Sequence, residues 1–239
     1  MKKGFTLIEL LGVIILLGVL ALITYPIVDN AIKNSSTKAL EESINNIERA
    51  ALQYSTVNKL GYDKLYKAMD IKVLKESGFL KDEQIKNPET NQPLDGCIIY
   101  VWNESSKQYI FVYSDNCALP TEEACFTFDK TTKAITDYST TCSKDVIIPG
   151  VIGGVSVEKV ENAAFSDKGI TSIDFIYMTN LKSIARSAFV NNNITALDLT
   201  KLKSIEDINS YAFCDNVVAK KNFKSTDKFP YSYFSWICV

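Results

Sequence analysis

Between Phe5 and Val28 the chain carries 24 residues with a single charge, Glu9. Roughly 20 apolar residues are enough to span a bilayer as a helix. A run of this kind must therefore meet lipid or other apolar helices. A carboxylate at the centre of such a helix costs roughly 2.5–3.5 kcal/mol on insertion scales. Glu9 lies near one end of the run, which lessens that cost without removing it. A secretory signal would have a shorter apolar core of roughly 7–15 residues and a small-x-small cleavage site. Lys2 and Lys3 supply its basic start, but "ALITYP" supplies no such site. A plain anchor fits the length and leaves Glu9 unexplained.

Helical spacing continues beyond the apolar run. Leu40, Ile44, Ile47, Ala51 and Tyr54 recur at steps of 4, 3, 4 and 3 and make one apolar face. One helix is expected from about Phe5 to Asn58, kinked or interrupted at Pro26, where an interior hydrogen bond is lost. The stripe is expected to pack on the protein's own domain. The N-terminal half has no such partner in the sequence and must find lipid or other subunits.

Composition narrows the chemistry. Formal net charge is −2, with no basic patch of the kind a phosphate backbone requires, so nucleic acid is not an expected partner. Histidine is absent, which removes the commonest general base and metal ligand. The six cysteines, Cys97, Cys117, Cys125, Cys142, Cys214 and Cys238, all follow the apolar run and form no CxxC pair. Metal binding is therefore not expected, and disulfides in an oxidising compartment are. Six cysteines allow 15 connectivities. The sequential set Cys97–Cys117, Cys125–Cys142 and Cys214–Cys238 is preferred, because each pair brackets a hairpin or the C-terminal loop; buried free thiols are the alternative.

The segment "DKLYKAMDIKVLKESGFLKDEQIKNPETNQPLDG" reads as a short helix stopped by Gly78, with Leu65 and Leu74 facing inward, and then a turn-rich loop. "CIIYVWN" and "QYIFVYS" read as a hairpin across "ESSK". Tyr100, Trp102, Tyr109, Phe111 and Tyr113 suit either a carbohydrate platform or packing against the long helix, and packing is the expectation.

After Cys125 the pattern changes. "CFTFDKTTKAITDYSTTC" reads as a second hairpin, and then a period of 24 residues sets in. "NAAF", "RSAF" and "SYAF" place Phe165, Phe189 and Phe213 at that spacing. Ile170 matches Ile194, Ile173 matches Leu197, and Ile184 matches Ile208. Short apolar strands at such a period indicate a solenoid, whose terminal units need caps. The second hairpin suits one end. The aromatic tail "FPYSYFSWICV" suits the other, or else an adhesive tip. No nucleophile–base pair or phosphate loop stands out, "GVIGGV" lacking the spacing and lysine of one. Neither enzymatic activity nor a cofactor is expected.

Two stretches carry resemblances. "KKGFTLIEL" resembles the processing site of the type IV pilin family, which includes the pseudopilins of secretion and competence machines. The resemblance implies cleavage between Gly4 and Phe5 by a prepilin peptidase and N-methylation of Phe5. It also implies that Glu9 pairs with the free amine of a neighbouring subunit, with Gly18 and Pro26 as helix-softening positions. More loosely, the helix ending "ESGFLKD", followed by "IKNP" and a hairpin, resembles the heads of pilins from Gram-positive bacteria. From roughly Lys144 to Cys214 the repeats are similar to BspA-like leucine-rich repeats, including the preceding "KDVIIPGVIGGVSV".

The expected fold class is α+β: a long N-terminal helix on a small antiparallel sheet, followed by a short leucine-rich-repeat-like solenoid. The expected divisions are a leader at 1–4, a membrane and assembly helix at 5–28, a head at 29–120 and a repeat domain at 121–239. The implied function is a structural subunit of a type IV pilus, minor or specialised, held in the cytoplasmic membrane before assembly and at the cell surface afterwards. Its implied partners are other pilin subunits, the peptidase, and a surface protein or glycan met by the repeats. A pseudopilin is the alternative, and an unprocessed, membrane-anchored repeat protein a more distant one.

Overall fold

The computed structural model describes residues 7–62, 64–88, 90–226 and 228–229; several side chains of the N-terminal helix, those of Glu9 and Pro26 among them, lie outside that set. The architecture is mixed α+β, with one long N-terminal helix and several small sheets.

Helix α1 spans Leu7–Asn58, 52 residues, about 78 Å at 1.5 Å per residue. It runs through Pro26 without a break, unlike the expected interruption. One missing N–H does not end a helix whose hydrogen bonding continues on both sides. Burial begins only in the C-terminal third, where Ile47, Ala50 and Ala51 are buried. Among the described residues no helix is long and apolar enough to cross a membrane.

The head is a three-stranded antiparallel sheet formed by β1 (Lys67–Asp70), β2 (Cys97–Asn103) and β3 (Gln108–Ser114), with β2 in the centre. β1 corrects the sequence reading, which gave those residues to a helix. "KAMD" has helix-forming residues, but pairing with β2, Met69 opposite Ile98, overrides that preference. The helix is reduced to α2, Ile71–Glu76, capped by the Asp70 side chain on Lys72 N–H at 2.8 Å. Gly78 follows it at φ +76°, a left-handed stop that costs a glycine nothing sterically. Leu74 is buried as expected, but Leu65 is exposed. Helix α1 pins the following loop through Ser43 Oγ to the Lys86 carbonyl and Asn46 Nδ2 to the Gln84 carbonyl.

Beyond the head, the hairpin of β4 (Phe126–Asp129) and β5 (Ala134–Tyr138) opens a different architecture. The chain continues as β6 (Asp145–Ile147), the two-residue hairpin β7 (Val151–Ile152) and β8 (Val155–Ser156), then β9 (Lys159–Val160) and β10 (Ser172–Asp174). β11 (Ser183–Ile184), β12 (Leu197–Asp198), β13 (Asp207–Ile208) and β14 (Phe223–Lys224) complete it. β5, β9, β11 and β13 pair in parallel in that order, with Lys159 opposite Ser183 and Ser183 opposite Asp207. β4 lies antiparallel on the outer edge of β5, covering one end. A second set of parallel pairs joins β6 to β10 and β12 to β14. Each turn of chain therefore returns beside the previous one at the sequence period, and the apolar residues of successive turns meet inside.

Phe165, Ile170, Ile173, Ile184, Phe189, Ile194, Leu197, Ile208 and Phe213 all lie in one buried cluster. Phe165 stacks on Phe189 at 4.7 Å, and Phe189 on Phe213 at 4.9 Å with the two ring planes nearly parallel. Tyr138 of β5 extends the same column, its ring 5.4 Å from Phe165. Phe229, at the start of the aromatic tail, is buried in this cluster, while residues 230–239 lie outside the described set.

Candidate assembly and binding surfaces

Of the residues expected at the processing site, Gly4 and Phe5 lie outside the described residues. Glu9 falls in the first turns of α1, and Gly18 and Pro26 in its interior, with no side-chain description at any of the three. The neighbouring side chains define the surface. Leu11, Val13, Ile14, Ile15, Leu16, Leu17 and Leu20 are each about half or more exposed. No part of the described fold covers them. Large apolar side chains on all sides of a helix demand an apolar surrounding that this chain does not itself supply.

The two ends of α1 differ in kind. Along residues 40–54 the helix packs on the head through Ile44, Ile47, Ala51 and Tyr54, against Ile98, Tyr100, Phe111 and Tyr113 of the sheet. Glu48 extends from the same stretch to the outer edge of β3, where its carboxylate accepts the Tyr113 N–H at 3.4 Å. Burial pushes this carboxyl above its ordinary range, against the opposing pull of that N–H and of Lys203. A carboxylate on an edge strand also discourages pairing with a second chain.

The opposite face of the sheet is also covered. Cys97, Ile99 and Val112 pack against Tyr177, Ile147 and Ile176 from the repeat region. Tyr66 Oη accepts the Val151 N–H at 2.8 Å, and the Tyr177 hydroxyl donates to the Ala118 carbonyl. Desolvation raises both phenols, Tyr177 to about 12. At the hairpin tip, Asn103 Nδ2 donates to Ser156 Oγ at 2.6 Å and the Glu104 N–H to the Gly154 carbonyl at 2.8 Å. Gly150 is required by close approach, since a Cβ there would overlap the Tyr177 carbonyl. The β2 strand, read from sequence as half of a hairpin lying on the helix, is thus buried on both faces.

Cys97–Cys117 and Cys125–Cys142 are disulfide-bonded. Cys214 is also in a disulfide, and its expected partner Cys238 lies outside the described residues. Among the described residues no group of three or more Cys, Asp or Glu could hold a metal ion.

Two asparagines that the sequence reading passed over organise the turns. Asn192, almost fully buried, accepts the N–H groups of Lys168 and Ile170 and donates to the carbonyls of Phe165, Phe189 and Val190. Asn216 repeats the pattern one period on, accepting from Ile194 and donating to Phe189, Phe213 and Cys214. The available signal was Phe-x-x-Asn at 189–192 and 213–216, broken at 165–168 by Lys168.

No curated protein and no solved structure matches this chain. Residues 1–25 match the family model of the prokaryotic N-terminal methylation motif, and that match supports a processed protein of the type IV pilin and pseudopilin kind.

Proposed function

We propose that the chain is a structural subunit of a type IV pilus, minor or specialised, and not an enzyme. The observation that carries this is the methylation motif over residues 1–25, continuous with a helix whose first half exposes leucine, isoleucine and valine to no partner of its own. In this reading the precursor sits in the cytoplasmic membrane as a single pass through Phe5–Val28, with Lys2 and Lys3 inside. A prepilin peptidase cuts between Gly4 and Phe5, and Phe5 is methylated. Glu9 then accepts the new amine of a neighbouring subunit in a low-dielectric bundle, where an unpaired amine is costly. Gly18 and Pro26 are positions where the helix can soften during assembly.

The C-terminal half is, in this proposal, a leucine-rich-repeat-like coil displayed outside the filament to bind a surface protein or glycan. Parallel pairing at 24-residue steps and the stacked phenylalanines support that assignment. Mass spectrometry of the mature protein tests the reading: loss of Met1–Gly4 and one methyl on Phe5 are expected, and an intact Met1 overturns it. Antibody label along extended surface fibres is expected; label confined to the envelope indicates a pseudopilin instead. Cells lacking the protein should lose surface binding, and unchanged adhesion would remove the binding role.

A further inference from the structure

The C-terminal end of α1, the loop after it and the tip of the β2–β3 hairpin enclose a cleft of about 590 Å³, within the range of small-ligand sites. The wall is aromatic. Tyr62 lies 4.5 Å from Trp102, and Trp102 lies 5.1 Å from Tyr109, ring centroid to centroid. The Tyr109 hydroxyl reaches the carbonyls of Leu60 and Gly61 and so holds the loop that carries Tyr62. Tyr62 itself is 73% exposed, so its ring packs on Trp102 while most of its surface stays open.

Beside the neutral Ser55 and Thr56, the described charges of the lining have one sign. Lys59, Lys107 and Gln108 line the cleft, and among the described residues no carboxylate does. The Lys107 ammonium is held by Glu104 at 2.6 Å, whereas Lys59 has no ion-pair partner among the described residues. Lys59 adopts φ +48° just past the helix end, a conformation glycine would take with less strain. The Gln108 amide, on the exposed end of β3, has no protein partner among the described residues and offers both a donor and an acceptor.

We propose that this cleft binds an acidic saccharide, a pyranose bearing a carboxylate. The aromatic wall takes the apolar C–H face of the ring, the Gln108 amide bridges neighbouring hydroxyls, and Lys59 takes the carboxylate. A neutral saccharide would leave Lys59 unmatched, and an aliphatic ligand would leave Gln108 so. This site is on the head, apart from the repeat coil, and it does not rest on the filament reading.

The test uses the purified full-length protein in detergent, titrated with sialyllactose and, separately, with lactose, and read by saturation-transfer NMR. Sialyllactose is expected to bind about tenfold more tightly than lactose. Tyr62→Ala, an exposed change that spares the core, should weaken sialyllactose about tenfold. Lys59→Glu should abolish the preference for the acidic sugar while leaving the thermal unfolding curve in place. Absence of binding by either sugar overturns the proposal. Equal binding of the two removes the acidic specificity, and unchanged affinity in Tyr62→Ala removes the site.

Discussion

Tyr66 and Tyr177 meet across the junction between the head and the repeat coil, with ring centroids 5.5 Å apart. Each hydroxyl engages backbone of the opposite part, Tyr66 at Val151 and Tyr177 at Ala118. The two parts consequently share apolar surface, and removing residues 121–239 would bare Ile99 and Val112 rather than leave a finished head. Tyr177→Ala should cost about 3–5 kcal/mol, the usual range for a large buried aromatic. Calorimetry should show one transition for the unaltered protein and two for the variant, because the shared contact is gone. A single transition in both would mean that the junction does not couple the parts.

The same pair sets a pH limit. Tyr177 has its phenol raised from 10.0 to about 12, mainly by burial. Below about pH 10 the hydroxyl is neutral in both folded and unfolded chains, so its contribution is fully present. Between about 10 and 12 the unfolded chain loses the proton first, and stability falls as pH rises. Tyr177→Phe should flatten part of that fall, seen as the difference between the two stability–pH curves. Coincident slopes from pH 10 to 12 would count against the assignment.

Asn192 makes five hydrogen bonds to backbone groups of two successive turns. Asn192→Ala leaves several of these groups without partners, at about 1–3 kcal/mol for each one that stays dry. Chemical denaturation should show a loss of at least about 3 kcal/mol. Lys168→Asn restores the missing member of the series but removes the Lys168–Asp137 ion pair at 2.7 Å, so its net effect on stability should be small. A loss below about 1 kcal/mol at Asn192 would show that water replaces the side chain.

Cys125–Cys142 ties the hairpin that covers the end of the coil, the two cysteines being 17 positions apart in sequence. Cross-linking a loop of that length is worth about 3 kcal/mol in the chain-entropy account. Cys125→Ser with Cys142→Ser should lower stability by about that amount and raise hydrogen exchange first in β4 and β5. Exchange that rises uniformly over the whole molecule would show that the hairpin does not open separately.

Glu9→Ala should leave cleavage between Gly4 and Phe5 unchanged, since the cut precedes the pairing assigned to Glu9. It should also reduce the protein in sheared filaments at least about tenfold while the membrane pool rises, as expected when an amine loses its partner in an apolar bundle. Immunoblots of the two fractions check this, and equal filament content would end the assembly role of Glu9.

Much of this was legible in the sequence, for identifiable reasons. The hairpin Cys97–Ser114 and the column Phe165, Phe189 and Phe213 show in the residues because alternation and a fixed period are local signals. β1 was not legible, because Lys67, Ala68 and Met69 favour a helix and only the partner strand decides otherwise. Asn192 sits in a run of three asparagines, and Lys168 breaks the series one period earlier. Tyr66 and Tyr177 are distant in sequence and belong to different patterns, so nothing local announces their meeting. At the assembly end the motif was legible from residue types alone, while Gly4 and Phe5 lie outside the described residues.

A strand clasped on both faces has a mechanical meaning. With Ile98 turned to the helix and Ile99 to the coil, a pull on the outer half loads the sheet in shear, across many contacts at once, instead of peeling a linker. The Cys97–Cys117 bond sits where the chain leaves the sheet, so tension arriving along residues 115–121 passes into β2 through a covalent link. The molecule then behaves as a stiff lever whose outer end cannot swivel on its stem. Torque on that end is delivered to the 52-residue helix that bears it.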